Sequence, residues 1–224
     1  MEVTKFTGRA NINLYRGDCN IAMAGMMAGQ FDLGCVDPPY GIGVTKMNMG
    51  GRKTIKPDGN KKWDNGAPAK EYFDRLKKVS ENQIIWGGNY FKDLPIFNTK
   101  LKRKADFLKV DGIIWDKGET MYGRDFSECE IAYSTTGNGI FKLSPNQLDR
   151  IHPTQKPVAL YKWLLANYAK QGDTILDTHG GSMSLAIACW DLGFDLDLYE
   201  LDADYYTAGV ARVKRHVNQM QFEI

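Results

Sequence analysis

The chain lacks any apolar run close to the ~20 residues that a membrane-spanning helix needs. Its opening Met1-Glu2-Val3-Thr4-Lys5 has none of the pattern of a secretory leader. A cytoplasmic protein with no membrane partner is the expectation. Cysteine is sparse as well: Cys19, Cys35, Cys129 and Cys189 lie far apart, with neither CxxC spacing nor the density of a disulfide framework. Reduced thiols are therefore expected, and no metal site. A large net charge is also missing, the sum being only +2, but the distribution is uneven. Segment 41–62 carries Lys46, Arg52, Lys53, Lys56, Lys61 and Lys62 against Asp58, and segment 98–109 carries Lys100, Lys102, Arg103, Lys104 and Lys109 against Asp106. The remainder is acidic in balance. Two short basic segments on an acidic body point to a polyanion contacted through loops.

What is present is an alternation of strand and helix patterns in 224 residues, a length that suits one α/β domain with its own core. Strands are expected at 11–16, 31–36, 83–86, 112–115, 129–134, 174–177 and 194–200. Helices are expected at 21–28, with Asp18 as cap, at 68–79, around Leu160 to Tyr168, at 183–192 and at 204–216. Such alternation implies a largely parallel sheet. Segment 41–66 has no hydrophobic period and reads as a long functional loop, a lid over substrate; 136–150 reads as loop.

Four carboxylates, Asp18, Asp37, Asp177 and Glu200, fall at or just after expected strand ends. In a parallel sheet those ends share one edge, where open α/β folds bind ligands. One of the four opens the tetrapeptide Asp37-Pro38-Pro39-Tyr40. An exocyclic amine on a nucleobase is a poor nucleophile, because its lone pair is delocalised into the ring. A carboxylate and a proline carbonyl could each accept one of its N–H groups and draw the nitrogen towards a tetrahedral geometry, while Tyr40 stacks on the base at about 1–3 kcal/mol. The turn after Asp177 supplies Gly180 and Gly181 for close backbone approach of a ligand, and Glu200 lies 23 positions further on, near the spacing at which an acid holds ribose hydroxyls.

The tetrapeptide resembles the Asp/Asn/Ser-Pro-Pro-Tyr/Phe motif of the DNA amino-methyltransferases, whose Asp form is typical of adenine-N6 enzymes. His152-Pro153-Thr154-Gln155-Lys156-Pro157 is similar to the block that in this family holds the methionine part of S-adenosylmethionine, with Lys156 as partner for its carboxylate and Thr154 and Gln155 as donors. Gly17-Asp18-Cys19 is similar to the segment that contacts the cofactor's adenine. Asp177-Thr178-His179-Gly180-Gly181-Ser182-Met183-Ser184 resembles the family's Asp-Pro-Phe-x-Gly-Ser-Gly-Thr turn in Asp177, Gly181 and Ser182. His179 stands at the aromatic position, as in phage-type members, and Met183 where a glycine is expected.

The order of these blocks is the permuted order of the β group, which implies that the N-terminal strand lies beside the strand ending at Glu200. The resemblance implies one catalytic domain over 1–224, Rossmann-like and circularly permuted, with a small basic target-recognition region at about 98–150. It further implies S-adenosylmethionine as cofactor, held by Asp18, Asp37, Thr154, Gln155, Lys156, Asp177, His179, Gly181, Ser182, Ser184 and Glu200. Catalysis falls to Asp37, Pro38, Pro39 and Tyr40. DNA is the implied partner, contacted by Lys46, Arg52, Lys53, Lys100, Lys102, Arg103 and Lys104, and a homodimer stays open. The chain contains no Pro-Cys pair, which disfavours the cytosine-C5 class. Cytosine-N4 methylation stays open, as does a DNA-binding protein whose cofactor affinity Met183 has impaired.

Overall fold

The computed structural model describes residues 1–43, 64–96, 112–118, 127–143, 151–152 and 154–220. Lys46, Arg52, Lys53, Lys100, Lys102, Arg103, Lys104, Pro153 and most of the expected lid lie outside the described residues.

Among the described residues nine strands form one sheet: β1 (Glu2–Phe6), β2 (Ile12–Arg16), β3 (Phe31–Val36), β4 (Ser80–Trp86), β5 (Gly112–Asp116), β6 (Cys129–Ser134), β7 (Gly139–Lys142), β8 (Thr174–Asp177) and β9 (Asp195–Glu200). Their order across the sheet is β1-β2-β9-β8-β3-β4-β6-β5-β7. The five central strands from β2 to β4 are parallel. β1 and β6 run antiparallel to their neighbours, and β7 lies parallel to β5. The expected neighbour relation holds, since Arg16 at the end of β2 stands opposite Glu200 at the end of β9.

Among the described residues five α-helices cover the sheet: α1 (Cys19–Ala24), α2 (Lys70–Val79), α3 (Val158–Tyr168), α4 (Ser184–Leu192) and α5 (Ala203–Met220). In α2 the apolar set Tyr72, Phe73, Leu76 and Val79 is buried, with Glu71 in the first turn and Lys77 and Lys78 in the last, each on the favourable end of the helix dipole. α4 is apolar nearly all round and is buried accordingly, from Ser184 through Trp190. Successive strand residues alternate between two cores. Leu33, Cys35, Ile84, Trp86, Ile175 and Leu198 pack with α3, α4 and α5, whereas Val36, Ile85, Leu176 and Tyr199 pack with α1 and α2. A carboxylate ties the first group together, Asp191 of α4 receiving Lys162 of α3 and His216 of α5 at 2.6 Å each.

Two expectations need correction. Segment 136–150 is not all loop, because Gly139–Lys142 pairs in parallel with β5 as an edge strand. The first helix spans Cys19–Ala24 rather than 21–28, though Asp18 caps it as expected, its carboxylate accepting the Asn20 N–H at 2.7 Å. The strand Glu2–Phe6, which pairs with β2, was not among the expected strands. Among the described residues no helix is long and apolar enough to cross a membrane. The described part of 98–150 does not stand apart from the sheet but contributes β5, β6 and β7 to it.

Candidate active site

Chain order reverses between β3 and β8: β3 leads outward to β4, and β8 leads the other way to β9. At that switch point the strands' carboxyl ends open into a pocket of about 690 Å³. Asp37, Pro38, Pro39 and Tyr40 line one part of it. Asp18, Thr154, Gln155, Lys156, His179, Gly181, Ser182, Ser184 and Glu200 line the rest. Asp177 does not reach the wall: it is buried behind the turn and accepts the His179 N–H at 2.9 Å. Burial chiefly, with the nearby Asp37 and Glu200, pushes its carboxyl up to about 8.

Asp37 sits in a chain of alternating charge. Its Oδ1 accepts the Tyr40 hydroxyl at 2.8 Å and its Oδ2 the Lys156 ammonium at 2.6 Å. Lys156 also reaches Glu130 at 3.0 Å, and Glu130 in turn holds Lys117 at 2.7 Å. Burial raises the Asp37 carboxyl above the ordinary carboxylate range, and Lys156 opposes that rise only in part. Glu130 goes the other way. Burial would raise it too, but two lysines bring it down to about 2. Lys156, against its burial, is held protonated by Asp37 and Glu130. Its ammonium is thus engaged with side chains of the protein, where the sequence suggested a cofactor carboxylate.

The glycine-rich turn is braced from two sides. Glu200 accepts the Gly181 N–H at 2.7 Å and the Asp202 N–H at 2.8 Å. Arg212 of α5 donates to the Ser182 carbonyl at 2.7 Å and the Ser184 hydroxyl at 2.9 Å. Gly180 is required by the sheet as well as by any ligand, since a β carbon there would overlap Leu198. Met183 adopts φ 57, the left-handed conformation that glycine takes more easily. Its fully buried side chain leaves the pocket and packs against Gly209 of α5. We expect Met183→Gly to lower stability, because about 2–5 kcal/mol of buried packing outweighs about 1–2 kcal/mol of relieved strain. Thermal unfolding with and without S-adenosylmethionine checks this: the melting temperature should drop while the ligand-induced shift persists.

Residues 114–211 match the family model N6_N4_Mtase, described as DNA methylase. That stretch is similar to the DNA methylase family. The chain is 27% identical over 216 residues, 92% of each chain, to YubD of Escherichia coli (strain K12), a protein named as a methylase. Among solved structures, M1.HpyAVI in complex with SAM superposes on 90% of this chain and 99% of its own, with a TM-score of 0.58 at 19% identity. The cytosine-N4-specific PvuII DNA methyltransferase covers 94% and 92%, with a TM-score of 0.56 at 14% identity. The fold is the Rossmann-like α/β fold of DNA methyltransferases, with a mostly parallel sheet.

The matched residues 114–211 include Lys117, Glu130, Lys156, the glycine-rich turn and Glu200, while Asp37 to Tyr40 lie before them. Sequence reasoning missed Lys117 and Glu130, which strand pairing alone brings to Asp37. It also missed how Tyr40 is seated. Gly87, at φ 69 after β4, leaves room where any β carbon would overlap the Tyr40 ring. Tyr90 stacks on Tyr40 with centroids 5.1 Å apart and 15° between planes, and Phe91 meets it edge-on. At the turn, His152 packs on Tyr205 with ring centroids at 4.3 Å. The signal for the Tyr40 seat was Gly87-Gly88-Asn89-Tyr90-Phe91 directly after an apolar strand.

Proposed function

We propose that the protein is a β-group DNA methyltransferase that moves a methyl group from S-adenosylmethionine to the exocyclic N6 of adenine. The observation that carries this reading is the placement of Asp37 and Tyr40 in the same pocket as the glycine-rich turn and Glu200. S-adenosylmethionine is the expected cofactor, and the residues present fit it. Gly181 brings open backbone to the wall, and Glu200 is fixed by backbone donors yet keeps lone pairs for ribose hydroxyls. Asp18 would meet the cofactor's adenine; Thr154, Gln155, Ser182 and Ser184 would supply donors, with His179 and Asp177 shaping the turn behind them. When bound, the cofactor supplies an electrophilic methyl on a sulfonium.

The chain's own work is positioning. The target base leaves the duplex at a cost of a few kcal/mol and stacks on Tyr40 after displacing Tyr90. Asp37 and the Pro38 carbonyl accept the two amine N–H groups, Pro39 keeps the turn rigid, and the nitrogen is aimed at the methyl. An amine nitrogen that accepted the methyl supplied by the cofactor would have to lose a proton. Asp37, whose burial raises its proton affinity, is placed to take it. Lys46, Arg52, Lys53, Lys100, Lys102, Arg103 and Lys104 are proposed to meet DNA phosphates.

The Asp at the head of the tetrapeptide favours adenine over cytosine. Against the reading of an impaired cofactor site stands the burial of the Met183 side chain against Gly209, away from the pocket. Digestion of methyl-labelled, mixed-sequence DNA to nucleosides tests the base: N6-methyladenine is expected, and N4-methylcytosine would overturn the adenine assignment while keeping the chemistry.

A further inference from the structure

We propose that Glu130 is a positioning residue for methyl transfer, one that neutralises Lys156 so that Asp37 keeps its negative character towards the target amine. This rests on the methyl-transfer reading of the pocket. Methylation moves positive charge onto the amine nitrogen, and a carboxylate beside it stabilises that charge. A buried lysine paired only with this carboxylate would cancel the effect. Here Lys156 is shared, at 2.6 Å from Asp37 and 3.0 Å from Glu130. The Tyr40 hydroxyl, given to Asp37 at 2.8 Å, also lies 3.4 Å from Glu130. Lys117, itself buried, balances Glu130 in turn, so the cluster Asp37, Lys156, Glu130 and Lys117 sums to zero. Asp37 then spends one oxygen on Tyr40 and one on Lys156, and each keeps a lone pair for the amine. Without Glu130 the cluster carries an excess positive charge, and Asp37 becomes the one anion for Lys156.

The charge on Glu130 also raises the proton affinity of Asp37. The other groups facing Asp37 are Lys156 ahead of α3, Tyr161 on α3, Asp177 at the end of β8, Cys35 on β3, Tyr72 on α2 and Tyr40 beside it. All of them remain in a Glu130 variant, so a difference from wild type isolates Glu130.

The test is the single-turnover rate of methyl transfer from labelled S-adenosylmethionine to mixed-sequence DNA, measured from pH 5 to 9 for wild type and Glu130→Gln. The plateau rate should fall by about ten- to a hundredfold, with cofactor affinity unchanged. The acid limb should move to lower pH, because Asp37 loses a neighbouring negative charge. A wild-type plateau, or a lowered plateau with an unmoved acid limb, overturns the proposal. If Glu130→Gln does not fold, Glu130→Asp takes its place: it keeps the charge, so the acid limb should stay at the wild-type position and the plateau within a few-fold of wild type, whereas a shifted acid limb or a plateau lowered by about ten- to a hundredfold overturns the proposal. Absence of transfer by the wild-type protein is a different result. It removes the methyl-transfer reading and this inference together.

Discussion

Replacing Asp37 by Ala is expected to lower methyl transfer by about a thousandfold or more, since one preorganised electrostatic partner of a reacting group typically supplies 10²–10³ and Asp37 is also proposed to take the proton. Cofactor binding should change little, because the glycine-rich turn is braced by Glu200 and Arg212, which lie beyond Asp37's reach. The fold should survive too. Lys156 loses one anion in this variant but keeps Glu130 at 3.0 Å. Single-turnover rates and calorimetric titration with S-adenosylmethionine, run on the same preparation, separate the two effects. Substantial residual transfer would remove Asp37 from its role.

Lys156→Met should do the reverse, harming the fold as much as the chemistry. Lys156 is buried and stands between two carboxylates, and deleting one partner of a buried ion pair costs about 3–5 kcal/mol. The loss should depend on pH. Lys156 lowers the Asp37 carboxyl from where burial would put it, so in the variant Asp37 rises further. A carboxyl raised in the folded state gives stability that is present below its unfolded value and is lost as pH rises through the folded one. Urea unfolding at pH 5.5 and pH 8 should therefore show the larger deficit at pH 8. Equal deficits would contradict the proposed coupling. Because Glu130 and Lys156 act on Asp37 with opposite sign, the acid limb of activity should move up in Lys156→Met and down in Glu130→Gln.

The parts of the site that could be read from the sequence are those written along the chain. A buried strand ending in Asp37, with two prolines behind it, announces its own exposed end, and parallel strands oblige Asp18, Asp37, Asp177 and Glu200 to share an edge. What could not be read depends on register between distant segments. Lys117 meets Glu130 because β5 and β6 pair antiparallel with Asp116 opposite Cys129, and nothing local to either residue says so. The same holds for Lys156: its charge was plain, but the identity of its anion was set by packing. Two strands were missed for want of a pattern. β1 buries no residue fully, and β7 is a four-residue edge strand without a buried position. Met183 stands where the family's turn pattern has a glycine. The conformation is indeed left-handed, and burial against Gly209 is what lets a larger residue occupy it.

The most direct measurement is transfer of labelled methyl from S-adenosylmethionine to mixed-sequence DNA by the wild-type protein and by Asp37→Ala, side by side, with cofactor binding measured for both. Label is expected in DNA with the wild type alone, and cofactor is expected to be bound by both. Equal labelling by the two proteins, or no labelling by a wild-type protein that fails to bind S-adenosylmethionine, would contradict it.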